Sequence, residues 1–266
     1  MVKKLIKYDF KAFAKVMLPV EIVMLGVALL YRIVAIFEND SVAYDIFNVS
    51  AIIILVIAAV TALLMTFIFS IVRFYKNLFT TEGYLSFTLP VTAGAHIISK
   101  LIVSLIFDLI TLLTLFVSFF IATFGEVFSE CLKAGLFLYG KAFDTLHGDL
   151  VLYTIELIVL VIAASVAAHL LTFMCVAVGQ TAKKHKILLA VGIYFGIYVL
   201  KQILGTIFIT TGTVTDMFDN IRVFISNHPR GAIHSFFGIM FAVELVFSVV
   251  YFFVARSMMK KKLNLE

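Results

Sequence analysis

Six runs of about twenty or more apolar residues, parted by short polar segments, constrain this chain more than anything else in it. They occupy residues 18–37, 46–72, 101–124, 151–179, 187–211 and 233–254. A helix of about 20 apolar residues crosses the hydrocarbon core of a bilayer. Each run therefore reads as a span, and the fold as an all-α membrane protein with six transmembrane helices. Composition agrees, with 63% of the 266 residues hydrophobic and 14% charged, against about a quarter charged in soluble domains. Disorder is excluded, because 28 Phe and 10 Tyr cannot stay solvated with so little charge. The second and fourth runs exceed one bilayer thickness and require tilt or interfacial extension. The first begins like a signal peptide, but it carries Glu21 and Arg32 and no small-residue cleavage site, so it is read as a span.

Lys and Arg orient the spans. Segments 1–17, 73–100, 180–186 and 255–266 hold fifteen of them. The opposite set, 38–45, 125–150 and 212–232, holds only Lys133, Lys141, Arg222 and Arg230. Basic residues collect on the cytoplasmic side, so both termini are expected there. The net charge of +5 then reflects topology and gives no reason to expect nucleic acid as a partner. The expected organisation is an interfacial helix at 1–17, a six-span domain over 18–254 and a basic tail at 255–266. No segment is long enough for a soluble domain. Residues 212–232 mix polar positions with Met217, Phe218, Ile221 and Val223 and read as short helices dipping into the outer leaflet. Cys131 and Cys175 fall on opposite sides of the bilayer, which argues against a disulfide, a metal site or a redox pair.

At the amino terminus Val2, Ile6, Phe10, Phe13 and Met17 lie within one quadrant of a helical wheel, and Lys4, Lys7, Lys11 and Lys15 lie opposite. That pattern predicts an amphipathic helix in the membrane plane, rings toward the acyl boundary and ammonium groups toward headgroups. It serves either as a topology determinant or as a connecting helix that transmits motion from a cytoplasmic partner.

The longest cytoplasmic segment, residues 73–100, has the most mixed chemistry. Phe74, Leu78, Leu85 and Phe87 suit a membrane face, while Glu82, Ser86, Thr88 and Thr92 suit water or a partner. Pro90 disfavours helix in the residue before it, and a new helix is expected to start near Thr92. The stretch Glu82-Gly83-Tyr84-Leu85-Ser86-Phe87-Thr88-Leu89-Pro90-Val91-Thr92, followed by Ser99-Lys100-Leu101, resembles the loop between spans two and three of ABC-2 type transporter permeases. The family pattern is roughly Glu-x-Gly-Thr-Leu-Glu, then Ser-Pro-Val-Ser, then Gly-Lys or Ser-Lys. This chain departs from it by a missing spacer before Gly83, and at Tyr84, Ser86 and Leu89.

The resemblance implies the membrane subunit of a bacterial ATP-driven exporter, multi-pass in the cell membrane. Residues 73–100 would form a cytoplasmic coupling helix seated on a separate ATP-binding subunit, through Lys76, Phe79, Glu82, Gly83, Tyr84, Leu85, Phe87, Thr88 and Pro90. It further implies a second permease subunit, identical or not, and ATP and Mg held by the partner ATPase rather than by this chain. In keeping with that, no Gly-x-x-x-x-Gly-Lys-Ser/Thr phosphate loop occurs in the sequence. Membrane lipids are the remaining partner, and an amphipathic or apolar cargo (peptide, lipid or drug) suits spans rich in Phe, Leu and Thr.

Six ionisable residues fall inside spans: Glu21, Arg32, Asp108, Glu156, Lys201 and Glu244. Each should face protein or a watery cavity, and Glu21, Arg32 and Glu156 are near enough to span ends to snorkel. Lys201 and Glu244, at matching depths, form a candidate intramembrane pair. Ser104, Asp108, Thr111, Ser118 and Ala122 share about 80° of span three. Of these, Ser104, Asp108, Thr111 and Ser118, with Tyr194 and Tyr198 on span five, are candidates for lining a path or for packing between helices. Gly192 and Gly196, four apart, permit close helix approach. No catalytic residue is proposed. The six histidines form no His-x-x-x-His pair, and His169 reads as a packing residue. No Gly-x-Ser-x-Gly and no Asp cluster of the kind that binds Mg²⁺ and phosphoalcohols occurs, and Asp108 alone cannot do two-carboxylate work. The competing expectation is a non-ABC secondary transporter or a membrane scaffold that uses Asp108, Lys201 and Glu244.

Overall fold

The structure, a computed structural model, describes residues 2–37, 41–80, 82–83, 88, 91–146, 149–182, 184–214 and 217–261. Among these residues there is no β-strand. Eight helices of eleven residues or more follow one another: α1 (Val2–Ile36), α2 (Val42–Phe79), α3 (Ala93–Thr123), α4 (Glu126–Leu146), α5 (Asp149–Gly179), α6 (Lys186–Val214), α7 (Met217–Asn227) and α8 (Pro229–Lys261). Six of them, α1, α2, α3, α5, α6 and α8, are long and apolar enough to cross a membrane. The chain is a multi-pass membrane protein.

The helices outrun the apolar stretches that announce them. α2 extends through Arg73 to Phe79 because Phe74 and Leu78 are fully buried in protein, and the hydrogen-bond ladder has no reason to stop where hydropathy falls. At 1.5 Å per residue its 38 residues reach about 57 Å, nearly twice the hydrocarbon thickness. Phe74 and Leu78 are therefore core residues, not the membrane-facing ones the sequence reading makes them. α1 likewise runs unbroken through the boundary read at residue 17 and includes Pro19, which leaves the carbonyl of Lys15 without its usual donor. Side-chain caps mark two helix starts. The Tyr44 amide donates to Ser41 Oγ at 3.2 Å, and the Ala95 amide to Thr92 Oγ1 at 3.3 Å, satisfying amides that a first turn leaves open. The start of α3 beside Thr92 is where the sequence places it.

Residues 125–150, which the sequence places between spans three and four on the side poor in Lys and Arg, contain α4, a helix of 21 residues. Phe124 and Gly125 alone separate it from α3, with Gly125 at φ 110°, a conformation that favours glycine. Residues 212–232 contain α7.

The chain divides into two compact units, Met1–Phe74 with Ile98–Asp144, and Tyr75–Ile97 with Thr145–Glu266. In the first, Phe13 and Met17 of α1 and Val103 and Phe107 of α3 form a core, flanked by Val20, Phe69 and Ile110. Phe13 stacks on Phe107 with centroids 4.5 Å apart and meets Phe69 of α2 edge-on at 4.9 Å. Phe13 and Met17 thus point into protein, which corrects the expectation that they face lipid.

In the second unit α5 packs along α8 and against α6, and α7 touches α6 and α8. The α5–α6 corner is tight. A Cβ on Gly179 would lie 2.7 Å from Ala190 Cβ and 2.8 Å from the Lys186 carbonyl oxygen. His185, at φ 56°, takes the left-handed conformation that His tolerates better than most residues. Gly192 and Gly196 have no neighbouring atom within 4 Å of where a Cβ would stand, so the close approach is at Gly179 and not at that pair. At the start of α3, Gly94 faces Phe252 and Arg256 of α8, 3.4 and 3.6 Å from its Cβ position.

Candidate functional site

The segment between α2 and α3 is shorter than its sequence pattern implies, since helix claims residues 73–79 and 93–100. The α2 end turns through Thr80, whose carbonyl accepts from the Gly83 amide at 2.7 Å. Asn77 Nδ2 donates to Glu82 Oε2 at 3.3 Å, fixing the carboxylate beside the helix end. Lys76, Glu82 and Thr88 are exposed, while Phe79 and Gly83 are buried. A small polar surface is thus anchored by one buried ring. Tyr84, Leu85, Phe87 and Pro90 lie outside the described residues.

Three helices of the first unit are joined by two buried polar contacts. Near the start of α3, Ser99 Oγ donates to Asp9 Oδ2 at 2.7 Å and Lys100 Nζ to Asp9 Oδ1 at 3.0 Å. The side chains of Lys100 and Asp9 are 3% and 6% exposed. A small cavity adjoins the pair, lined by Phe13, Val103 and Ser104 and by Ser70 and Arg73 of α2 as well. Three turns further along α3, Thr111 Oγ1 donates to Glu21 Oε1 at 2.6 Å and lies 2.8 Å from Thr66 Oγ1 of α2. Glu21 is buried, so it does not snorkel. In hydrocarbon a carboxyl group without such a donor would cost several kcal/mol.

The span-three stripe is therefore the face α3 turns inward. Ser104, Thr111 and Ser118 are buried and Asp108 is half-buried. Tyr194 and Tyr198 of α6 are exposed within the chain. Lys201 and Glu244 are not joined by an ion pair. The Lys201 ammonium stands over the rings of Phe247 and Tyr251 of α8, 4.6 and 5.6 Å from their centroids, a cation–π arrangement that a desolvated site strengthens. Glu156 is paired too, with Oε1 2.7 Å from His234 Nδ1. Close by, Arg230 meets Asp149 at 3.1 Å. His169 is buried with its ring 6.1 Å from Phe173.

Asp9 is the residue that sequence reasoning missed. Its signal was present, for at 100° per residue Asp9 sits at the edge of the apolar quadrant of α1, among Val2, Phe13 and Met17, and away from the lysines. A lone acid on an apolar face asks for a buried partner. In comparisons with protein-family models, with curated proteins and with solved structures, nothing matches the chain.

Proposed function

We propose that this chain is the membrane-spanning permease subunit of an exporter driven by a separate ATP-hydrolysing subunit. The observation that carries the reading is the segment joining α2 and α3. It combines the Glu82-Gly83 to Pro90-Val91-Thr92 pattern and Ser99-Lys100 with exposed Lys76, Glu82 and Thr88 at the tip of two long helices. Both termini and this tip lie in the cytoplasm, as the distribution of Lys and Arg requires.

Force applied by a partner at the tip would enter α3 at Thr92. From there the Ser99 and Lys100 contacts to Asp9 would pass it to α1. The partner drives export only if its nucleotide-bound form binds one arrangement of these helices better than another. Two such permease subunits, alike or different, would enclose the path, and an amphipathic or apolar cargo suits its walls.

The test is co-purification. The intact chain should bring down an ATP-hydrolysing protein from its native membranes. Replacing residues 80–92 with a neutral linker should abolish that association while the chain still purifies as a single species. A linker variant that keeps both the ATPase and export would overturn the reading. In that event Glu244, which forms no ion pair with Lys201, becomes the first residue to test as the relay group of a secondary transporter.

A further inference from the structure

α4 is too polar to cross a membrane, yet nearly all of it is uncovered by protein. On a wheel of 100° per residue Glu130, Lys133, Lys141 and Asp144 fall within about 80°. Phe128, Cys131, Leu132, Leu138, Tyr139 and Phe143 occupy an opposite arc of about 140°. Phe137 alone sits among the charges. Gly135 and Gly140 stand in mid-helix with open space around them, each costing about 1 kcal/mol relative to alanine in water. A helix of this length with two such glycines and no covering protein is marginal in water. Something apolar has to cover it.

The neighbouring elements say what that is. α3 and α5 are both spans, and only Phe124 and Gly125 part α3 from α4. Phe120 of α3 meets Phe128 of α4 edge-on at 4.8 Å, which pins the start of α4 to the end of a span. The chain therefore leaves the bilayer, runs about 31 Å as helix, and re-enters without leaving that face. We infer that α4 lies in the plane of the membrane with the Cys131 and Leu138 face sunk into the lipid acyl boundary and the Glu130 and Lys141 face toward the headgroups. The inference needs only that the chain is a membrane protein, so it stands or falls apart from the proposed ATPase partner.

The native cysteines supply the probe. Cys131 is exposed and Cys175 is buried. In full-length protein with Cys175→Ala, a polarity-sensitive maleimide on Cys131 should be quenched severalfold by brominated acyl chains in vesicles of neutral phosphatidylcholine. In the same background with Cys131→Ala, probes at Lys133→Cys and Lys141→Cys should escape that quenching and should react with a charged maleimide added outside. Two results would overturn the inference. One is equal accessibility of both faces, meaning a helix free in water. The other is quantitative Cys131–Cys131 cross-linking between copies without quenching by lipid, meaning that a second copy covers the face.

Discussion

Asp9, Ser99 and Lys100 form a contact whose worth depends on burial. An ion pair in water contributes about 0–1 kcal/mol. Removing one member of a buried pair costs about 3–5 kcal/mol, because the other charge is left stranded. With both side chains almost wholly buried, Asp9→Asn should lower stability by about 3–5 kcal/mol. The drop is measurable as the midpoint of thermal aggregation in detergent. Lys100→Met should do the same, and the double variant Asp9→Leu with Lys100→Met should recover most of the loss, since hydrophobic replacements of a buried pair are often neutral. If Asp9→Asn melts like the parent, the pair is solvated and does not hold α1 to α3.

Helix packing is decided where backbones come closest. At the α5–α6 corner the space beside Gly179 is already filled by Ala190 and the Lys186 carbonyl, so Gly179→Ala forces the helices apart. Overpacking of that kind costs about 1–3 kcal/mol. Gly192→Ala meets nothing within 4 Å and should leave stability unchanged or slightly raised, as alanine favours helix. Size-exclusion of the two variants after a graded heat step would rank them, and equal survival would remove the corner from the account. The glycine pair in the sequence and the tight glycine in the structure differ because spacing only permits approach, whereas approach needs a facing helix. Lengths follow a similar logic. Hydropathy marks where lipid stops, and buried rings such as Phe74 carry the α2 helix beyond that point.

For the whole molecule the prediction is topological. Six crossings would put both ends on one side, and the lysine-rich segments predict that this side is the cytoplasm. Protease-cleavable tags at the two termini should both be cut in inverted vesicles and neither in right-side-out ones, while a tag inserted at residues 38–40 should show the reverse. Cutting of the two terminal tags on opposite sides would mean an odd number of crossings.

By itself the sequence determined the helical class, the six spans and the helix start beside Thr92, because solvent preference and capping are local properties that each residue carries wherever the chain goes. α4 was legible too, in the narrow sector shared by its charges, but hydropathy averaged over the segment hides a pattern that only a helical period reveals. Only the tertiary structure decided the partners. It joined Asp9 to Lys100 and Glu21 to Thr111, each across about ninety residues of chain, and gave Lys201 the rings of Phe247 and Tyr251 instead of Glu244. Matching depth and opposite sign allow a pair. Which atoms meet depends on how each helix is rotated about its axis, and packing at residues such as Phe13, Phe107 and Gly179 sets that rotation.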